Sequence, residues 1–413
     1  MKFNTIVIGG GLAGYTCAIK LAEEGQHVLL VSAGESSLHF SSGSFDLLGY
    51  DEDGQVVSSP TEAVQRLPHS HPYRKVKDFP AKAEDAKRLL NQAGLAFKGD
   101  VSANHFRLTP VGMLMPTWLS LDGMVVFPTT DSKPWESAAI VCPMGFLDFP
   151  TAFVQDSLSA MGIRTRTLTI TTAELEYARE STSEMRATNL ARRLERGKGI
   201  EAMAQAINAL DIKESVILMP AIFGYDDPNA ANKLQKLVHK PVVFSSTIPP
   251  SVPGVLMQKA LKQRLRNLGG MILDNNTVLR GTITDCLENI VTDKIEDPML
   301  AADHFVLATG TFLSGGLTSN YTHVSEPIFG LDVDADTNRQ AWHVEDFYEK
   351  QPYMRFGVHT DDTFHTSKDG KTIPNLYAIG SVLSGKDSVR AADREGVDML
   401  TALQTAQNII DVS

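Results

Sequence analysis

The chain has 413 residues, 43% of them apolar, and carries 38 Lys and Arg against 49 Asp and Glu, a formal net charge of -11. This length and apolar content exclude a disordered chain and call for two domains, or one domain with an inserted cap. The acidic balance argues against nucleic acid as a partner. Three widely separated cysteines (Cys17, Cys142, Cys286) give neither a disulfide framework nor a thiolate-bound cluster, and they suit a reducing cytosol.

The first predicted element is the apolar strand Thr5-Ile6-Val7-Ile8, followed at once by Gly9-Gly10-Gly11-Leu12-Ala13-Gly14. Read as G-x-G-x-x-G, the run puts Gly9 at the tight turn out of the strand. Gly11 falls where a phosphate would approach bare backbone, and Gly14 where the next helix packs closely on the strand. Residues 15–24 read as that helix, with Tyr15, Ala18, Ile19 and Ala22 on one face and Gly25 as its end. A second strand, Val28–Val31, completes a βαβ unit whose helix N-terminus would point free N–H groups at an anion. A dinucleotide site carries an acid about 20 residues on, at the end of the second strand, to bind ribose hydroxyls. Here that position is Ser32, and Glu35 comes a few residues late. A cofactor without adenosine would not miss it.

The next block is His39-Phe40-Ser41-Ser42-Gly43-Ser44-Phe45-Asp46-Leu47-Leu48. Its small residues would let backbone amides reach a flavin phosphate, ribityl chain or ring edge, so Ser41, Ser42, Gly43 and Ser44 are candidate cofactor contacts. A surface loop is the plainer alternative. Residues 51–80, broken by Asp51, Asp53, Gly54, Pro60, Pro68 and Pro72, read as a linker. His69 and His71 have a metal-capable spacing, but nothing nearby completes a ligand set and no metal is expected.

Helical periodicity returns near 82–94. From 100 to 250 short strands (Ala139–Cys142, Val216–Met219, Val242–Phe244) alternate with helices (Thr151–Met161, Gly199–Leu210), as in an inserted cap or substrate domain. The run Arg186, Arg192, Arg193, Arg196, Lys198 reads as a solvated helix face. A strong amphipathic helix follows at 254–268. Strands at Met271–Leu273, Val278–Thr284 and Asn289–Thr292 then suggest a β-meander. The strand from Ala302 ends in Ala308-Thr309-Gly310, placing Thr309 and Gly310 at a second strand-to-loop contact with the cofactor.

Toward the C-terminus, Phe356-Gly357-Val358-His359-Thr360-Asp361-Asp362 precedes the strand Asn375–Ile379, which ends in Gly380 and Ser381. Flavin folds of this kind usually place Asp after that glycine, bonding a ribityl hydroxyl; Ser381 can bond the hydroxyl without charge. Gly385, Gly396 and the start of the final helix (Val397–Ile410) would offer amides to the pyrimidine end of a flavin and stabilise its reduced form. The Gly357–Asp361 loop resembles one that lies over the flavin in fumarate reductase-like proteins, which would make His359 a candidate proton donor; Arg355 is a candidate anion holder, against the bland readings of a solvated histidine and an ion pair. Together these features predict an α/β, Rossmann-like FAD/NAD(P)-binding fold. Residues 1–99 and 254–413 would build the flavin-binding domain, with 100–253 as the inserted cap.

The glycine turn, the His39–Leu48 block, the Ala-Thr-Gly strand and the Leu376–Ser381 strand together resemble the B-subunit family of the anaerobic, quinone-linked glycerol-3-phosphate dehydrogenases. Gly357-Val358-x-Thr360-Asp361 and Asn375-Leu376-Tyr377-Ala378-x-Gly380 are more distantly similar to fumarate reductase and succinate dehydrogenase flavoproteins. The resemblance implies oxidation of sn-glycerol 3-phosphate to dihydroxyacetone phosphate. The catalytic A-subunit would hold FAD and substrate, and the B-subunit FMN. The membrane-anchoring C-subunit would hold iron–sulfur clusters leading to the quinone pool at the inner membrane. FMN, with FAD as the alternative, is therefore the expected cofactor. The expected location is peripheral, on the cytoplasmic face through a partner, since no apolar run approaches the roughly 20 residues that span a bilayer and the first strand leaves no room for a signal peptide. Two other functions stay open: a self-sufficient fumarate reductase-like oxidoreductase, and a non-catalytic scaffold subunit.

Overall fold

A computed structural model describes residues 2–295 and 300–412. The chain divides into two compact units, one of residues 1–37, 46–94 and 260–413, the other of residues 38–45 and 95–259. The passage from the second unit to the first falls within the helix Val252–Asn267.

The first unit is built on an eight-stranded sheet. Strand β1 (Lys2–Ile8) is followed by helix α1 (Leu12–Glu23) and strand β2 (Val28–Ser32). Every residue of β2 is buried, as are Thr5–Ile8 of β1. Both faces of a parallel sheet are covered, so its strands read as unbroken apolar runs rather than alternating ones. Strand β3 (Met271–Asp274) lies parallel to β2, Asp274 opposite Ser32. The strands β4 (Val278–Ile283) and β5 (Leu287–Thr292) form an antiparallel hairpin. Strand β6 (Leu300–Leu307) runs parallel to β1, with Val306 opposite Val7, and meets β5 only at its start.

Strands β7 (His365–Lys368) and β8 (Lys371–Ala378) complete the sheet, β8 lying parallel to the end of β6. The order is β3-β2-β1-β6-β5-β4, with β8 joined to β6. The last helix, α2 (Arg394–Val412), buries its residues 395–406 and packs on α1. This is the α/β FAD-binding fold predicted, but residues 38–45 fall in the second unit rather than with the flavin-binding part, and Met271–Asp274 is not part of a meander but a parallel edge strand. Its ladder with β2 decides this, and local pattern cannot report it.

The second unit holds a four-stranded, all-parallel sheet. Ser137–Pro143 is central, with Arg164–Ile170 on one side and Val216–Pro220, then Val242–Ser245, on the other. Helices Thr151–Ala160, Ala187–Leu194, Gly199–Asn208 and Ala230–Leu237 supply the apolar residues that cover it, among them Val154, Leu158, Leu190, Met203 and Leu234.

Candidate functional site

The glycine turn sits where β1 ends. Gly9 has φ of +123°, and a Cβ there would lie 2.2 Å from the Ala308 carbonyl oxygen at the end of β6. A Cβ on Gly14 would lie 1.9 Å from the Gly9 carbonyl oxygen. Gly11 is the N-cap of α1; it provides no side-chain hydrogen bond, and no acid lies in the first turn. A Cβ built on Gly11 would meet nothing within 4 Å. The helix end is therefore an uncapped set of N–H donors with a positive dipole end and open space before it, which fits a phosphate group.

Two further strand ends meet this turn. Beyond β6, the Thr309 hydroxyl oxygen is buried with no hydrogen-bond partner among the described residues, and Gly310 has φ of +80°. Beyond β8, Gly380 has φ of +70°, its N–H donates to Thr401 Oγ1 at 2.9 Å, and a Cβ there would lie 2.6 Å from the Ala13 Cβ. The structure thus gathers Gly9, Gly11, Gly14, Thr309, Gly310, Gly380 and Ser381 at the carboxyl ends of three parallel strands, where ligands of such sheets bind. The orphaned Thr309 hydroxyl and the cradle at Gly11 both fit a phosphorylated cofactor.

At the end of β2 the Ser32 hydroxyl donates to the Gly34 carbonyl at 2.9 Å. The acid opposite it across the ladder, Asp274, is engaged by Lys262 at 2.7 Å and Arg266 at 3.6 Å.

Two of the amides expected to face a flavin ring are already used. The Gly385 N–H donates to the Arg355 carbonyl at 2.9 Å, and the Gly396 N–H to the Asp46 carbonyl at 2.9 Å. Instead, the start of α2 is surrounded by charge. The Asp398 carboxylate accepts from the Ser381 hydroxyl at 2.8 Å, and burial pushes its pKa up to about 6, against the opposing pull of Ser381, Arg394 and Lys386. Arg394 pairs with Glu395 at 2.6 Å. His71 is buried: its Nδ1 accepts from the Tyr73 N–H, leaving Nε2 to donate to Asp393 at 2.9 Å. His71 is thus a core hydrogen-bonding residue, and among the described residues no group of three or more His, Cys, Asp or Glu could hold a metal.

Arg355 forms an ion pair with Glu52 at 2.6 Å, and His359 Nδ1 lies 2.9 Å from Asp334 Oδ1 with half of its side chain exposed. The arginine therefore does not reach out to an anion, while the histidine keeps an accessible edge.

The serine block belongs to the second unit, and most of its polar groups turn inward there. The Ser41 carbonyl accepts from the Ser251 hydroxyl, and a Cβ on Gly43 would press on Pro253 at 3.0 Å. Ser44 Oγ is 2.8 Å from Ser120 Oγ, which is 2.8 Å from His105 Nε2. Burial and the neighbouring Arg107 push the His105 pKa down to about 4. Ser42 is half-buried. In the same unit the Glu195 carboxylate accepts four consecutive backbone N–H groups, those of Gly224, Tyr225, Asp226 and Asp227, at 2.7–2.8 Å. No local pattern announces this loop, because the acid and the amides are far apart in the chain.

Fold and turn define a flavin-binding oxidoreductase class, and over residues 4–393 the chain matches the FAD binding domain family. More particularly, it belongs to the B-subunit family of the anaerobic glycerol-3-phosphate dehydrogenases. It is 38% identical to the B-subunit from Pectobacterium atrosepticum, over 99% of both chains. It is 37% identical to that of Yersinia enterocolitica, over 99% of this chain and 98% of the relative, and 34% identical to that of Vibrio cholerae, over 99% and 97%. Among solved structures it is similar to the 3-ketosteroid delta1-dehydrogenase of Sterolibacterium denitrificans, with 11% identity over the whole of both chains and a TM-score of 0.45. A flavocytochrome c3 fumarate reductase gives 9% identity over 99% of this chain and 78% of that one, with a TM-score of 0.43. The chain is one subunit of an oxidoreductase, with flavin as its cofactor. No helix among the described residues is long and apolar enough to cross a membrane.

Proposed function

We propose that this chain carries electrons as the flavin subunit of an anaerobic glycerol-3-phosphate dehydrogenase. The complex would oxidise sn-glycerol 3-phosphate to dihydroxyacetone phosphate. A catalytic A-subunit would take the substrate, and an iron–sulfur C-subunit would pass electrons toward quinone at the membrane. One observation carries the reading: the uncapped end of α1, open before Gly11 and locked behind by the Gly9–Gly14 contact. A bound flavin would supply two-electron exchange on one side and single-electron exchange on the other. The N-terminal amides of α1 would hold its phosphate, Thr309 Oγ1 would find its partner there, and Ser381 would face the ribityl chain.

FAD is the form we favour, supported by the match to the FAD binding domain over residues 4–393. The expectation of FMN rests on the family resemblance and on the missing acid at Ser32. Residues 100–253 are proposed as the inserted cap and His359 as the group that handles a proton. The self-sufficient, fumarate reductase-like alternative needs free arginines, and Arg355 is committed to Glu52. The test is release of the cofactor from purified protein by mild denaturation, with its mass determined. FAD is expected; a colourless protein with no flavin would overturn the proposal and favour the scaffold reading.

A further inference from the structure

The first unit also contains a cavity of about 1040 Å³ beside Ser381 and the start of α2, and the glycine turn does not account for it. Its walls are aromatic: Phe312, Trp342, Phe347, Tyr348, Tyr353 and Phe356. Trp342 and Phe356 meet edge to face with centroids 6.0 Å apart, and the Trp342 indole N–H is anchored to the Asp336 carbonyl. The anchored Trp342–Phe356 pair, with further aromatic side chains around a space of this size, suits a flat ring system, which gains both burial and stacking.

One polar group in the lining is unusual. Lys386 is 5% exposed, and its ammonium makes one hydrogen bond, to the Ser381 carbonyl at 3.2 Å. An ammonium has three donors, so two lack an acceptor among the described residues. Burial presses this lysine toward neutrality, while Asp393, Asp398 and Asp387 favour its charge and Arg394 opposes it. A buried cation with spare donors on a cavity wall is costly unless something in the cavity accepts from it. The Gly385 and Gly396 amides cannot play that part, being bonded to carbonyls of the chain.

We infer that this cavity takes a planar isoalloxazine-type ring, and that Lys386 supplies the hydrogen-bond donor that the two glycine amides do not. The inference rests on the flavin reading given above, and adds the residue that sets ring affinity and redox poise.

Lumiflavin, the ring system without ribityl phosphate or adenosine, is the probe. It is titrated with the purified full chain freed of nucleotide, following the quenching of its own fluorescence. The wild-type chain is expected to bind it, K386R to bind within about threefold, and K386M about tenfold more weakly, the scale of one lost charge-assisted bond. K386Q retains a donor for the Ser381 carbonyl, serves if K386M does not fold, and is expected to lose a similar factor. In FAD-loaded protein, a tenfold preference for the reduced form lost with the lysine would lower the two-electron potential by about 30 mV. Equal lumiflavin affinity in wild type and K386M, or no binding by wild type, overturns the inference. A chain that binds lumiflavin through Lys386 but purifies without FAD removes the flavin reading alone. A chain that carries FAD but ignores the K386M change removes this inference alone.

Discussion

A methyl group on Gly14 would stand 1.9 Å from the Gly9 carbonyl oxygen, whereas one on Gly11, three residues earlier, would touch nothing within 4 Å. The two glycines therefore serve different ends. Gly14→Ala forces backbone against backbone and is expected to cost about 2–3 kcal/mol, as overpacking does. Gly11→Ala should stay within about 1 kcal/mol of wild type yet lose at least about tenfold in flavin retention, because the methyl fills the space that a phosphate would enter. Denaturant melts and flavin-to-protein absorbance ratios separate the two effects; a Gly11→Ala protein with full flavin content would contradict the site.

Asp398 makes stability depend on pH. Its folded pKa of about 6 lies above the ordinary 3.8, so the folded chain holds this proton more tightly than the unfolded one. The resulting stability is fully present below the unfolded pKa and is lost as pH rises through the folded one. Two units correspond to about 3 kcal/mol. Asp398→Asn keeps an acceptor for Ser381 and removes the ionisation. It should gain about 1.5 kcal/mol relative to wild type between pH 5 and pH 8, read from urea midpoints at the two values.

His105 acts in the opposite sense. Its folded pKa of about 4 lies below the ordinary 6.5, so its contribution is present above 6.5 and is lost as pH falls toward 4. The ring is partly exposed, and about 2 kcal/mol is the expected loss. His105→Gln, which still reaches Ser120, should flatten the acid limb of the unfolding profile. An unchanged limb would mean that other groups carry it.

Glu195 gathers four amides of one loop onto a single carboxylate. In Glu195→Gln the amide nitrogen faces two of the four N–H groups as a fellow donor. The cost is expected to be about 2–3 kcal/mol, with hydrogen exchange at Gly224–Asp227 at least about tenfold faster. Protection that survives in the variant would show that the loop holds itself.

Arg355 and His359, neighbours in sequence, are expected to part company in function. Arg355→Ala breaks a half-exposed pair with Glu52, costs at most about 1 kcal/mol and leaves turnover of the assembled complex intact. His359→Asn removes the proposed proton-handling group and should lower turnover at least about tenfold. Equal rates for wild type and His359→Asn would reduce the histidine to a surface partner of Asp334.

The parts of this molecule legible in the sequence are those whose cause is local. The strand–glycine–helix order marked the turn at Gly9–Gly14, because steric demands on three glycines leave a pattern within six residues. The apolar runs at Val28 and Val306 marked buried parallel strands. What stayed hidden depends on contacts across the chain. The Ser41–Ser44 block reads locally as a set of cofactor contacts, but Ser251 and Ser120, distant in sequence, engage the Ser41 carbonyl and the Ser44 hydroxyl. The Gly396 amide looked available until Asp46 claimed it. Lys386 carries no periodic or motif signal at all; only the folded arrangement shows that it is buried and short of acceptors.

The pairing of Val7 with Val306 has a consequence for how the protein is made. The strand that must flank the cofactor turn leaves the ribosome some three hundred positions after it, roughly 15–60 s at ordinary translation speeds. Throughout that interval β1 presents an unpaired apolar edge. Biogenesis in the cell is therefore expected to depend on chaperone shielding of the nascent β1–β2 segment, and cofactor capture to wait until β6 has been made.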